Sequence, residues 1–138
     1  PLLAAVPKAA HGMICREPLL ELLPLIDAMN IDLKGFTQKF YEIVRGDLET
    51  VKQTIALSSE KCHIEVTTLV IPGLNDDPNE IETEAKWLAS VNPEIPYHLS
   101  RFFPRHKMKD RSSTPVETIY NLRNIAVKQL KYVYTGNC

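Results

Sequence analysis

Asp32 and Lys34 stand two residues apart in the run Asp27-Ala28-Met29-Asn30-Ile31-Asp32-Leu33-Lys34-Gly35. Read as a strand, this run puts residues two apart on the same face. Asn30, Asp32 and Lys34 share one side; Met29, Ile31 and Leu33 share the other. A carboxylate beside an ammonium can form an internal ion pair, hold the polar groups of a bound ligand, or work as general acid and base. Helical patterns flank the run on both sides, so the strand belongs to a parallel sheet with buried faces. A polar cluster near the end of such a strand needs a partner, and a ligand would be one. His98, in Pro96-Tyr97-His98, is a second candidate. Taken alone, it reads more readily as a satisfied core histidine in an apolar strand.

The elements that would position these residues follow from pattern. Glu17 to Leu23 is a leucine-rich helix with Pro18 in its first turn, ended by Pro24. The Asp27–Lys34 strand follows. Thr37 can cap a brief helix carrying Phe40, Tyr41 and Val44, and Asp47 can cap the next, with Leu48, Val51 and Ile55 on one face. Cys62 to Ile71 is rich in β-branched residues and reads as a strand turned by Pro72-Gly73. Asp77-Pro78-Asn79-Glu80 reads as a capping box before a helix with Ile81, Ala85 and Leu88 inward. Pro96 to Phe103 is a third strand. Thr114-Pro115-Val116-Glu117 reads as a second capping box, opening a helix with Ile119, Leu122, Ala126 and Leu130 inward. Tyr132 to Thr135 is a fourth strand, stopped by Gly136-Asn137.

Strand and helix alternate throughout, which predicts right-handed βαβ units, a parallel sheet and one domain over residues 1–138. In sheets and barrels of this kind chemistry sits at the carboxyl ends of the strands. Those ends hold Asp32 and Lys34, then Thr67 to Gly73, then His98 to Arg101.

Composition excludes several functions. The chain has 138 residues, 44% of them hydrophobic, with 16 basic and 17 acidic residues and a net charge of −1. That balance offers no electrostatic case for nucleic acid or an anionic membrane. No apolar run approaches the ~20 residues that span a bilayer. Pro1 to Ala10 is apolar but lacks the basic start of a signal peptide. Opening on Pro1, the chain reads as a piece of a longer one. Cys15, Cys62 and Cys138 are widely spaced, which argues against a disulfide framework and against a self-contained zinc or iron–sulfur site. They read as reduced thiols of a cytoplasmic protein, two of them packed as small hydrophobes. Arg101, Arg105, His106, Lys107 and Lys109 form a basic patch beside Phe102 and Phe103, read as a solvated loop. Trp87 reads as helix packing. Glu65 shares a face with Thr67 and has no assigned role.

Taken together, several of these segments are similar to one family. Asp32-Leu33-Lys34, Val70-Ile71-Pro72-Gly73-Leu74-Asn75-Asp76 and Pro96-Tyr97-His98 occur in the order and spacing of radical S-adenosylmethionine (radical SAM) enzymes related to the pyruvate formate-lyase activating enzyme. His98-Leu99-Ser100-Arg101-Phe102-Phe103-Pro104 and Tyr132-Val133-Tyr134-Thr135-Gly136-Asn137 resemble the branch called the AmmeMemoRadiSam system radical SAM enzyme. The resemblance runs from about Met13 to the C-terminus.

It implies an α/β fold, the C-terminal part of a partial (β/α) barrel with helices on the outer face of a parallel sheet. It implies an oxidoreductase whose [4Fe–4S] cluster reductively cleaves S-adenosylmethionine to a 5′-deoxyadenosyl radical, acting on a glycyl-radical or related protein or a small molecule. Asp32, Lys34, Thr67 and His98 are the cofactor-binding residues it implies; no catalytic or metal-ligating residue is assigned. Two departures stand out. The family's CxxxCxxC cluster loop is absent, so this chain would not ligate the cluster and would be inactive alone. Thr67 stands where the activating enzyme has an arginine, and His11-Gly12 where the family has Asn-Gly. The open edges of a half-barrel predict a twofold dimer. Two rival readings remain: a non-catalytic interaction fragment, and a non-radical metabolic barrel enzyme with Asp32 and Lys34 as acid and base.

Overall fold

The computed structural model describes residues 14–104 and 110–138. Among these residues four strands form one sheet in the order β1-β2-β3-β4, and all neighbours are parallel. They are β1 (Ala28–Asp32), β2 (His63–Val70), β3 (Tyr97–Arg101) and β4 (Val133–Gly136). The helices are α1 (Arg16–Leu22), α2 (Gln38–Ile43), α3 (Leu48–Lys61), α4 (Pro78–Val91) and α5 (Val116–Ala126), with a 3-10 turn at Leu23–Leu25 after α1. Consecutive strands are neighbours because each helical crossover returns the chain beside the strand it left. Among the described residues β1 and β4 are the sheet's edges.

Period-2 alternation sorts the strands onto two faces. Met29, Ile31 and Leu33 point one way with Ile64, Val66 and Val70, with Tyr97 and Leu99, and with Val133. All are buried against Val51 and Ile55 of α3, Ile81, Ala85 and Leu88 of α4, and Ile119, Leu122 and Ala126 of α5. Burying each such side chain contributes about 1.5–3 kcal/mol. The other face carries Asn30, Asp32, Glu65, Thr67, Leu69, His98 and Tyr134, and none of these is buried. The expectation of a strand covered on both sides is therefore corrected. Among the described residues, helices cover one face and leave the other open.

The caps divide. Thr37 accepts from Phe40 N–H at 3.1 Å and Asp47 from Thr50 N–H at 2.9 Å, as their sequence positions predict. The two capping boxes are corrected. Asp77 caps α4 through Asn79 N–H, but Glu80 turns away to accept from Phe36 N–H. Thr114 does not cap α5, whose N-cap is Pro115 with no side-chain bond. Its hydroxyl instead donates to Val70 C=O and accepts from Phe102 N–H, tying the ends of β2 and β3 together. Thr114 is fully buried, so bonding its hydroxyl there avoids an orphaned polar group.

The cysteine expectation also changes. Cys15 and Cys138 are exposed, and Cys62 alone is packed against the core. Trp87 packs against the core as expected, its ring 5.8 Å from that of Phe36. His11, Gly12, Arg105, His106, Lys107 and Lys109 lie outside the described residues. Arg101, the described member of the basic patch, lies over the Phe103 ring at 4.7 Å and donates to Thr114 C=O.

Candidate functional site

The strand register builds the site. Asp32 pairs with Thr67, Thr67 with His98, and His98 with Tyr134. Parallel neighbours in register keep their side chains on one face. Asp32, Thr67, His98 and Tyr134 therefore form one row across the open face. Lys34 follows two residues past Asp32, beyond the last residue of β1. Thr67 Oγ1 donates to Asn30 Oδ1 at 3.1 Å, which links β2 to β1 within the open face.

His98 is held on two sides. Its Nε2 lies 2.6 Å from Glu65 Oε1, and its ring stacks on Tyr134 with centroids 5.3 Å apart and planes at 29°. The other Glu65 oxygen lies 3.1 Å from His63 Nε2. The His98 hydrogen bond, with smaller help from His63, holds the Glu65 carboxyl below its ordinary range. Neither Glu65 nor Tyr134 was assigned a role from sequence. The i, i+2 spacing of His63, Glu65 and Thr67 places them on one face, but only the β2–β3 register brings His98 to Glu65.

The end of β1 is fixed through its backbone. Lys34 N–H donates to Tyr41 Oη at 3.0 Å, and Lys34 C=O accepts from Asn75 Nδ2 at 2.7 Å. The Asn75 amide also donates to Leu69 C=O at 2.8 Å and accepts from Ile71 N–H at 2.6 Å. One buried side chain thus locks the end of β1 to the turn that follows β2. Burial pushes the Tyr41 phenol from 10.0 to about 12. Next to Lys34, Gly35 permits a close approach that a side chain would block: a Cβ there would lie 2.6 Å from the Phe40 ring. At Gly73 the backbone has φ +78°, the left-handed turn that β2 needs to leave the sheet.

Beneath this end lies a buried acid. Thr68 Oγ1 is 2.6 Å from Leu33 C=O and 3.0 Å from Glu84 Oε2. The Tyr97 hydroxyl also bonds Glu84 Oε2. A hydroxyl has one proton, and a carbonyl can only accept. Thr68 spends its proton on Leu33, so the contact with Glu84 requires a proton from the carboxyl. Glu84 is accordingly the neutral acid, in accord with burial that pushes its pKa well above 4.5. Its Oε1 finds no hydrogen-bond partner among the described residues, which a neutral acid tolerates better than a carboxylate.

The same arrangement of strands and helices occurs in a known protein. A crystal structure of a domain of pyruvate-formate lyase-activating enzyme from Bacteroides vulgatus superposes with a TM-score of 0.75 at 21% identity, covering 89% of this chain and 75% of that one. The chain shares that fold. In sequence it is 38% identical over 130 residues to an uncharacterized protein of Methanocaldococcus jannaschii. That match takes in 92% of this chain, which spans only 38% of the relative's length. No family model matches the chain.

Within the shared fold, the described residues offer no ligand set for a metal: no three His, Cys, Asp or Glu side chains lie close enough to hold an ion. No described helix is long and apolar enough to cross a membrane. What the open face does offer is a carboxylate, a hydroxyl and a stacked imidazole–phenol pair, with Lys34 just past the end of β1. That set suits a ligand with charged groups at one end and a planar or hydroxylated part at the other.

Proposed function

We propose that this chain is the C-terminal portion of a radical SAM barrel of the activating-enzyme type, and that Asp32, Lys34, Thr67 and His98 form part of the wall holding S-adenosylmethionine. The observation that carries this reading is the register-aligned row Asp32–Thr67–His98 on the open face of a sheet shared with an activating-enzyme domain. Asp32 suits the ligand's α-ammonium and Lys34 its α-carboxylate. His98, with Tyr134 against its ring, suits the nucleoside end. Thr67 provides a neutral hydroxyl between the two ends.

When bound, the iron–sulfur cluster and S-adenosylmethionine supply a one-electron reductive cleavage that yields a 5′-deoxyadenosyl radical. The residues here do not fit the cluster, whose ligands would come from elsewhere in a longer protein. This chain's part is to orient the cofactor and keep a dry floor beneath it, built from the apolar residues of the covered face. Alone it should bind weakly and turn nothing over. The substrate would be a protein, as the name of the structural relative suggests, or a small molecule reaching the same face. Twofold closure of the open face in the isolated chain belongs to this proposal, and light scattering at micromolar concentration checks it by a dimeric mass.

The test of the cofactor site is chemical-shift perturbation with millimolar S-adenosylmethionine. The amides of Asp32, Lys34, Thr67 and His98 should move together, and Asp32→Asn should suppress the response. No movement at these four positions would overturn the reading. It would leave the interaction fragment or the acid–base enzyme.

A further inference from the structure

We propose that Glu65 is a positioning residue that fixes the His98 ring with Nε2 as donor, so that Nδ1 faces the ligand as a hydrogen-bond acceptor. The ligand part of this inference rests on the reading of the open face given above.

A carboxylate can only accept, so the 2.6 Å contact requires the proton on Nε2 of His98. Ring nitrogens of a neutral imidazole divide their roles, and the partner of one sets the role of the other. With Nε2 protonated toward Glu65, Nδ1 keeps its lone pair. No described residue hydrogen-bonds Nδ1. Tyr134 blocks one face of the ring by stacking, which limits rotation about the side-chain bonds.

Glu65 is itself fixed. Each of its oxygens holds one imidazole, His98 at 2.6 Å and His63 at 3.1 Å, so turning toward a ligand would break both contacts. The groups facing it are His63 on its own strand, His98 on β3 and the uncharged Asn30 in register on β1. Glu65 therefore acts through His98. The acceptor at Nδ1 would take a ligand O–H or N–H, as a sugar hydroxyl or exocyclic amine of a nucleoside provides. A group with only acceptor atoms, such as a fully ionised phosphate, finds no donor on a neutral His98.

The experiment uses the chain labelled with 15N-histidine at pH 8, where an ordinary imidazole is neutral. In the wild type the His98 Hε2 proton should give a resolved, slowly exchanging resonance. Glu65→Ala should abolish it. Glu65→Gln, whose carbonyl still accepts from Nε2–H, should retain it in part. Adenosine is then added as the probe. The His98 Nδ1 resonance should move in the wild type, and Glu65→Ala should weaken adenosine binding about fivefold, the size of one lost hydrogen bond. A His98 protonated on Nδ1, or an Hε2 signal indifferent to Glu65→Ala, would overturn the positioning role. Shifts at Thr67 without any at Nδ1 would overturn the acceptor role while leaving the site reading intact. Adenosine and S-adenosylmethionine that perturb none of Asp32, Lys34, Thr67 and His98 would instead fail the site reading, and the ligand half of this inference with it.

Discussion

The two faces of the sheet hold their polar groups by opposite means. On the covered face, Thr68, Tyr97 and Glu84 are fully buried and bonded to one another, and burial keeps the carboxyl protonated. On the open face, Glu65 is ionised between two histidines, and their hydrogen bonds hold it below the ordinary range. The same functional group thus becomes a neutral structural acid on one side and a charged anchor on the other. Desolvation decides the first, because a lone buried charge is costly. Hydrogen bonding decides the second, because water still reaches the group and the His98 bond outweighs the desolvation. The covered face should therefore dominate stability, and the open face should dominate recognition.

The largest effect should come from the covered face. Leu99→Ala removes a fully buried side chain between the sheet and its helices and should cost about 2–5 kcal/mol, read as a lowered urea midpoint with an unchanged slope. His98→Ala, one residue away on the open face, should cost no more than about 1 kcal/mol, because the Glu65 contact it removes is partly exposed to solvent. Equal losses at the two positions would break the comparison.

Asn75→Ala comes next. It would orphan Ile71 N–H and the carbonyls of Lys34 and Leu69, for a cost of about 2–4 kcal/mol. Hydrogen exchange should then speed up at Ile71 and Lys34 together, because one side chain serves both ends. Faster exchange at Ile71 alone would show that the end of β1 is held by Tyr41 without it.

The two acids should also differ in the sign of their pH dependence. Glu84 has a raised pKa when folded, so its contribution is fully present below the unfolded value and is lost as pH rises through the folded value. Glu84→Gln removes that dependence. Relative to the wild type it should gain stability as pH rises above the ordinary glutamate range, by about 1.4 kcal/mol for each pH unit until the folded value is reached. A difference between the two proteins that is flat with pH would mean that Glu84 is not the neutral acid.

Glu65 carries the smallest effect. Its pKa is lowered when folded, so its contribution is present above the unfolded value and is lost as pH falls through the folded value. The side chain is 38% exposed, so solvent screening should keep the loss below about 1 kcal/mol. His98→Asn should move the Glu65 titration up toward its ordinary range, followed by the carboxyl 13C shift. A titration unmoved by that change would place the cause of the Glu65 shift elsewhere.

Much of the architecture was legible along the chain. The β-branched run before Pro72-Gly73, the alternation around Asp32 and the caps at Thr37 and Asp47 are local signals, and local physics reads them. The face shared by Asn30 and Asp32 followed from the period of two alone. The capping box at Thr114 and the Glu80 half of the box at Asp77 misled for the opposite reason, although Asp77 itself caps α4. Glu80 and Thr114 had a local partner on offer, but tertiary contacts with Phe36, Val70 and Phe102 won them. The same holds for Asn75, which looks like an ordinary loop residue until the end of β1 is brought beside it.

By itself, then, the sequence determined the element order, the parallel class of the sheet and which side chains share a strand face, because each depends on residues a few positions apart. Only the tertiary structure decided which strands sit in register, that one face is left open, and that Glu65 meets His98 across 33 residues of chain. Those outcomes depend on how the helices pack back onto the sheet, and no short-range pattern encodes a contact whose partner is chosen by the packing of the whole core.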